Sequence, residues 1–126
     1  MKAKICHIST AHTAFDTRIF YKECRSLAKE GYDVHFIVSH DKEEVVEGVH
    51  IIPLPQDNSR KYRFITKKKI ALQKAIELNA DLYHFHDPEL IPVGKKLKKL
   101  GKRVIYDVHE DVAKQILSKE WLGNQF

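Results

Sequence analysis

Two short runs are dense in groups able to exchange protons or bind hydroxyls near neutral pH. They are His86-Asp87-Pro88-Glu89 and His109-Glu110-Asp111. His84 precedes the first run by two residues, and strand alternation would put His84 and His86 on one face, within reach of one ion. His109 follows a buried apolar run and stands beside two carboxylates, which marks it as a functional histidine. Asp107 lies on the same face and could orient that imidazole or only neutralise it. Other groups have plainer readings. His84 shares a face with Leu82 and reads as a satisfied core or surface histidine. Asp87 is read equally as a turn and cap residue before Pro88. His7, His35, His40 and His50 carry no signal in the sequence.

The elements that must position these groups alternate. Apolar runs at 4–8, 34–38, 49–52, 81–86 and 103–108 read as strands. Between them, 3.6-residue periodicity predicts a helix from Asp16, which can cap it, to Gly31, with Ile19, Phe20, Cys24, Leu27 and Ala28 on its apolar side. Further helices are predicted over 62–78, with Ile65, Leu72, Ala75 and Ile76, and over 89–100, with Pro92 in its first turn and Gly101 after it. The stretch 39–48 is polar, so the direction of the 49–52 strand stays open. An amphipathic piece follows at 110–117. The fold class is α/β: a Rossmann-like open, mostly parallel sheet of about five or more strands with helices on both faces. Ligands of such sheets bind outside the carboxyl ends of the strands, near the topological switch point. That rule selects residues 9–18, the 56–60 loop and the two polar runs.

The chain has 126 residues, enough for one domain with a core of its own. Its 22 basic and 17 acidic residues give a net charge of +5. No apolar run approaches the ~18 residues of a membrane span. The first residues lead straight into a strand without a signal-peptide layout, which predicts a cytoplasmic protein. Cys6 and Cys24 lack metal or redox spacing and read as buried free thiols. Ser9–Asp16 contains no glycine, which argues against a dinucleotide or P-loop site. No acidic pair follows the first strand, which excludes a response-regulator receiver. Basic residues concentrate in two acid-free windows, 60–74 and 95–103. The plain reading is solvated helix faces; the functional one is docking on an anionic membrane, at ~1 kcal/mol per basic residue. Only Tyr62 and Phe64 could stack bases there, so no nucleic-acid partner is expected.

The runs from His7 to Glu23, Asp81 to Leu90 and Gly101 to Asp111 together resemble family-4 retaining glycosyltransferases of GT-B architecture, over nearly the whole chain. The resemblance implies two Rossmann-like domains across a cleft, of which residues 1–126 are the N-terminal, acceptor-side domain, with the C-terminal donor domain absent from this sequence. It implies transfer of a sugar from a nucleotide-sugar donor, with retention, to a glycan or lipid-linked acceptor in cell-surface polysaccharide synthesis. The nucleotide-sugar is a co-substrate; no cofactor and no metal is expected. By the same resemblance His109 is catalytic, and Asp16, Arg18, Asn58, Arg60, His86, Asp87 and Glu110 bind substrate. Thr13-Ala14-Phe15 stands where many members carry a glycine pair. The alternatives are a binding module, or a subunit needing a donor domain in trans, and, more remotely, a metal-dependent hydrolase.

Overall fold

A computed structural model describes residues 3–15, 17–56 and 59–106. Six strands form one sheet: β1 (Lys4–Thr13), β2 (Asp33–Ser39), β3 (Glu44–Val46), β4 (Val49–Leu54), β5 (Leu82–Phe85) and β6 (Arg103–Tyr106). Their order is β3-β4-β2-β1-β5-β6. All neighbours are parallel except the β3–β4 pair. The chain therefore builds outward from β1 through β2 to β4, then returns to the other side of β1 with β5. The switch point lies between β1 and β5, where a parallel sheet opens a crevice beyond its strand ends.

The direction left open by the sequence is settled: β4 runs parallel to β2, in register from Val34–Val49 to Ser39–Leu54. The polar 39–48 stretch hides an edge strand. Val46 pairs with Val49 across a two-residue turn in which Glu47 (φ 50°) and Gly48 (φ 84°) are both left-handed. Positive φ at both turn residues suits the twist of a tight hairpin. Gly48 is doubly constrained, because a Cβ there would also come within 3.2 Å of the Ala28 Cβ. Glutamate at the first position is an uncommon turn residue, which is why the hairpin was masked in the sequence.

The sheet carries helices on both faces, and each face has its own core. Cys6, Ile8, Ile37, Tyr83 and Phe85 pack with Ala71, Ala75, Leu90, Val93 and Leu97. Val34, Phe36, Val38 and Ile51 pack with Ile19, Phe20 and Cys24 on the opposite face. Each large side chain removed from water here contributes about 1.5–3 kcal/mol. Tyr83 is buried without a polar penalty: its hydroxyl accepts from the Ala80 N–H (3.0 Å) and donates to the Ala75 carbonyl. Both cysteines are free and buried, as expected, and burial pushes both thiols up, away from reactivity.

Two helices depart from simple 3.6-residue winding. The first is π-wound over Thr17–Cys24 and α-helical over Arg25–Lys29. The second opens at Arg60–Tyr62, is π-wound over Arg63–Lys67, and continues as α-helix over Lys68–Leu78. The wider winding rotates side chains off the periodic pattern. Within the π-wound segment Ile65 stands half in water, at 49% exposure, and Lys67 is fully buried; Ile76, in the regular α-helix beyond it, is also exposed. The 60–74 window is thus not simply a solvated face. In the 95–103 window, Lys95, Lys96, Lys98, Lys99 and Arg103 are exposed, as the plain reading expects. The 89–100 helix divides into a 3-10 turn (Pro88–Leu90) and an α-helix (Ile91–Lys99). Among the described residues, no helix is long and apolar enough to cross a membrane.

Candidate active-site face

Register decides which side chains share a face at the switch point. Ile5, His7 and Ser9 alternate to one face of β1, and Leu82 and His84 lie on the same face of β5, with His86 continuing it just past the strand end, since Ile5 pairs with Leu82 and His7 with His84. Along the two strands the face changes from hydrocarbon to imidazole to hydroxyl as it nears the carboxyl ends. The Thr17–Cys24 segment lies over it and brings Glu23 Oε1 to 3.8 Å from His84 Nε2.

The strand ends are joined by a buried polar knot. Asp87 Oδ2 accepts from Ser9 Oγ and from the Thr10 backbone N–H, both at 2.8 Å. Thr10 Oγ1 donates to Glu89 Oε2 at 2.8 Å. The His86 backbone N–H donates to the Ile8 carbonyl at 3.2 Å. Ser9, Thr10, His86, Asp87 and Glu89 are all buried. Buried carboxylates are costly unless hydrogen-bonded, and these are. Asp87 occupies the position before the Pro88–Leu90 turn but makes no capping bond to it. Its carboxylate reaches across to β1 instead, so the turn-and-cap reading gives way to a strand-end clasp.

Beneath the knot three imidazoles stack. Ring centroids lie 4.6 Å apart for His7 and His84, 4.5 Å for His84 and His86, and 5.1 Å for His7 and His86. His7 Nδ1 and His86 Nε2 are 2.9 Å apart, so one carries the proton and the other accepts it. Burial, and then neighbouring His84, hold the His7 imidazole well below its ordinary value, so it is neutral. His84 and His86 do share a face, as alternation predicts. His84 is neither plain core nor plain surface: it is half-buried between two rings and a carboxylate.

Of the residues expected from the sequence, His86 and Asp87 are brought together with β1. Asp16, Asn58, His109 and Glu110 lie outside the described residues, as does the 110–117 piece. The backbones of Arg18 and Arg60 sit in the first and second helices; their side chains are outside the description. In the loop after β1, Ala14 is buried, while Phe15 is exposed and sets its ring edge-on against Phe20 (5.1 Å) and His40 (5.4 Å). An aromatic thus packs the loop where a glycine pair was the comparison. Sequence reasoning missed His7, Glu23 and Lys67. The pairing of His7 with the His84-x-His86 strand could have been suspected only from a correct strand alignment. Lys67 was hidden by the π-turn.

A hollow of about 1010 Å³ opens at the other, amino end of the strands, walled by Ile5, Leu27, Tyr32, Leu82 and Val104. Its walls are mostly hydrocarbon, and its Asp81 is committed to the Lys4 backbone N–H at 2.8 Å. The polar chemistry is at the carboxyl end.

Among curated proteins none matches the chain. Among solved structures, it is similar to sucrose-phosphate synthase from Thermosynechococcus elongatus, with 19% identity and a TM-score of 0.65. The match covers 96% of this chain and 37% of that one. At that identity the likeness is one of fold, the α/β Rossmann-like arrangement of a sheet with helices on both faces. The sequence pattern of Glycosyltransferase Family 4 matches residues 17–125. The chain belongs to glycosyltransferase family 4.

Proposed function

We propose that the chain is the acceptor-side domain of a retaining glycosyltransferase, which moves a sugar from a nucleotide-sugar to a glycan or lipid-linked acceptor in cell-surface polysaccharide synthesis. One observation carries the reading: in a family-4 chain, the carboxyl ends of β1 and β5, at the switch point of the sheet, are joined by a buried knot of Ser9, Thr10, Asp87 and Glu89. The Asp87 carboxylate fixes the loop after β1 relative to the loop after β5. Such preorganisation holds hydroxyl-binding groups in place without reorganisation as the sugar is transferred. His86 extends the knot. Asp16 and Arg18 would face the cleft from the first helix, Asn58 and Arg60 would form the acceptor loop, and Glu110 would flank the strand end. His109 would donate a hydrogen bond to the sugar and share charge as its glycosidic bond breaks. The reading calls for no metal and no cofactor in that step.

The chain spans 37% of the sucrose-phosphate synthase structure it resembles. We therefore assign the donor-binding half of the cleft to a second domain, in the same protein or in trans. Purified residues 1–126 should transfer no sugar and bind nucleotide-sugars poorly; turnover by this piece with ordinary donors would overturn the half-cleft reading. In the full-length protein, His109→Ala should lower turnover by ~10²-fold or more with little change in melting temperature. A mutant with near-normal turnover, or one that unfolds, would mark His109 as structural. The setting is cytoplasmic, at the inner face of the cell membrane, with the exposed 95–103 lysines as the docking surface. Binding to anionic vesicles should then weaken steeply between low and physiological salt, where the Debye length shrinks to ~8 Å. Equal binding to neutral vesicles would contradict it.

A further inference from the structure

We propose that His7, Glu23, His84 and His86 form a binding site for a zinc-type divalent cation, which clamps the first helix onto β1 and β5. The inference goes beyond the transfer reaction, and the two can fail separately. One ligand atom from each of the four residues lies within 4.8 Å of all the others. The donors are three imidazoles and one carboxylate, a set suited to zinc and its neighbours rather than to magnesium or calcium.

The spacing is near what the ion requires. Zinc–nitrogen bonds of 2.0–2.1 Å place tetrahedral ligand atoms about 3.3 Å apart. His7 Nδ1 and His86 Nε2 stand at 2.9 Å, and His84 Nε2 and Glu23 Oε1 at 3.8 Å. These two of the six edges bracket the required value, and all six lie within 4.8 Å, so metal binding draws the four donors inward onto the ion. The backbone favours it as well. His7 is in register with His84 on the neighbouring strand, and His86 follows one residue past the end of β5, held by its N–H to the Ile8 carbonyl at 3.2 Å. Two ligands therefore stand on strands, a third on the strand end, and only Glu23 comes from a helix.

The ring of His7 fits the role. Its Nε2 is buried with no hydrogen-bond partner among the described residues. Ligation through Nδ1 places the ring proton on that nitrogen. The Glu23 carboxylate offsets one of the two cationic charges. Two other clusters, Asp33-His35-His50 and His40-Asp41-Glu44, are more open to solvent and offer no comparable enclosure.

The test is titration of the chelator-stripped protein with Co²⁺ and then Zn²⁺. One equivalent of Co²⁺ should give the intense visible absorption of a four-coordinate ion, which Zn²⁺ should displace, and Zn²⁺ should raise the melting temperature. His84→Ala should weaken Zn²⁺ binding by ~100-fold, and Glu23→Gln by ~10-fold or more, with unchanged far-ultraviolet circular dichroism. His50→Ala should bind as the parent does. Glu23→Gln, which keeps the size of the half-buried side chain, keeps the test decisive should His84→Ala fail to fold. The proposal is overturned if the protein binds no stoichiometric Co²⁺ or Zn²⁺, if the absorption is the weak band of a six-coordinate ion, or if His50→Ala abolishes binding while His84→Ala and Glu23→Gln do not.

Discussion

The β1–β5 pair presents two opposite faces made by alternate residues of the same two strands. On one, Cys6, Ile8, Tyr83 and Phe85 are buried against helices and belong to a continuous hydrocarbon core. On the other, His7, Ser9 and His86 are buried as deeply and His84 is half-buried, yet each of these groups is polar and engaged with another polar group. Burial alone therefore does not separate structure from function in this domain. The chemistry of what is buried does. An apolar face gains stability from each side chain, whereas a buried polar face must spend hydrogen bonds to avoid a desolvation penalty. A one-residue step along β1 or β5 exchanges the two.

Substitutions on the two faces should consequently behave differently, and the largest effect belongs to the apolar one. Phe85→Ala should cost about 3–5 kcal/mol in chemical denaturation, through lost transfer energy and the cavity left behind. A loss under ~1 kcal/mol would mean the hydrocarbon face collapses easily and the contrast is weaker than drawn. On the polar side, Asp87→Ala strands the Ser9 hydroxyl and the Thr10 N–H, and should cost about 2–3 kcal/mol; Asp87→Asn, which keeps one acceptor, should cost less. Equal losses would show that packing, not hydrogen bonding, holds the knot.

The pH dependence sharpens the comparison further. The folded-state value of His7 lies below its unfolded value of about 6.5, because burial and His84 oppose the charged form. As pH falls below ~6.5 the unfolded chain takes up a proton that the folded chain refuses. Stability should fall with pH there, by up to ~1.4 kcal/mol per unit from this residue, and be fully present above it. His35, lowered first by its own burial, works in the same direction. His7→Gln should flatten the slope measured by urea denaturation between pH 5 and 7; an unchanged slope would assign the effect elsewhere. The smallest effect should come from outside both faces: Lys98→Ala, on the exposed side of its helix, should move stability by less than ~0.5 kcal/mol.

The sequence made the sheet legible where physics is local. Apolar runs and helix-ending Gly31 and Gly101 placed the parallel strands β1, β2, β4, β5 and β6 and the helices between them. It was silent on β3, because a left-handed Glu47 has no compositional signature. It misplaced Lys67 and Ile65, because π-turns break the period on which the reading depends. At the site, His86 and Asp87 followed from the strand-end rule. The partners of Asp87 did not: Ser9 and Thr10 are 78 and 77 residues away. His7 was overlooked for the same reason. Its meaning comes from its register with β5, and register is a property of the folded sheet.

The central claim is that the polar face at the carboxyl ends of β1 and β5 serves transfer and the apolar face serves folding. Turnover and unfolding free energy of the full-length, chelator-stripped protein, measured together for His86→Gln and Phe85→Leu, test it most directly. We predict that His86→Gln lowers turnover at least ~10-fold with stability within about 1 kcal/mol of the parent, and that Phe85→Leu loses stability while keeping turnover at temperatures where it is folded. Normal turnover in His86→Gln, or turnover that tracks stability alone in both variants, would contradict the account.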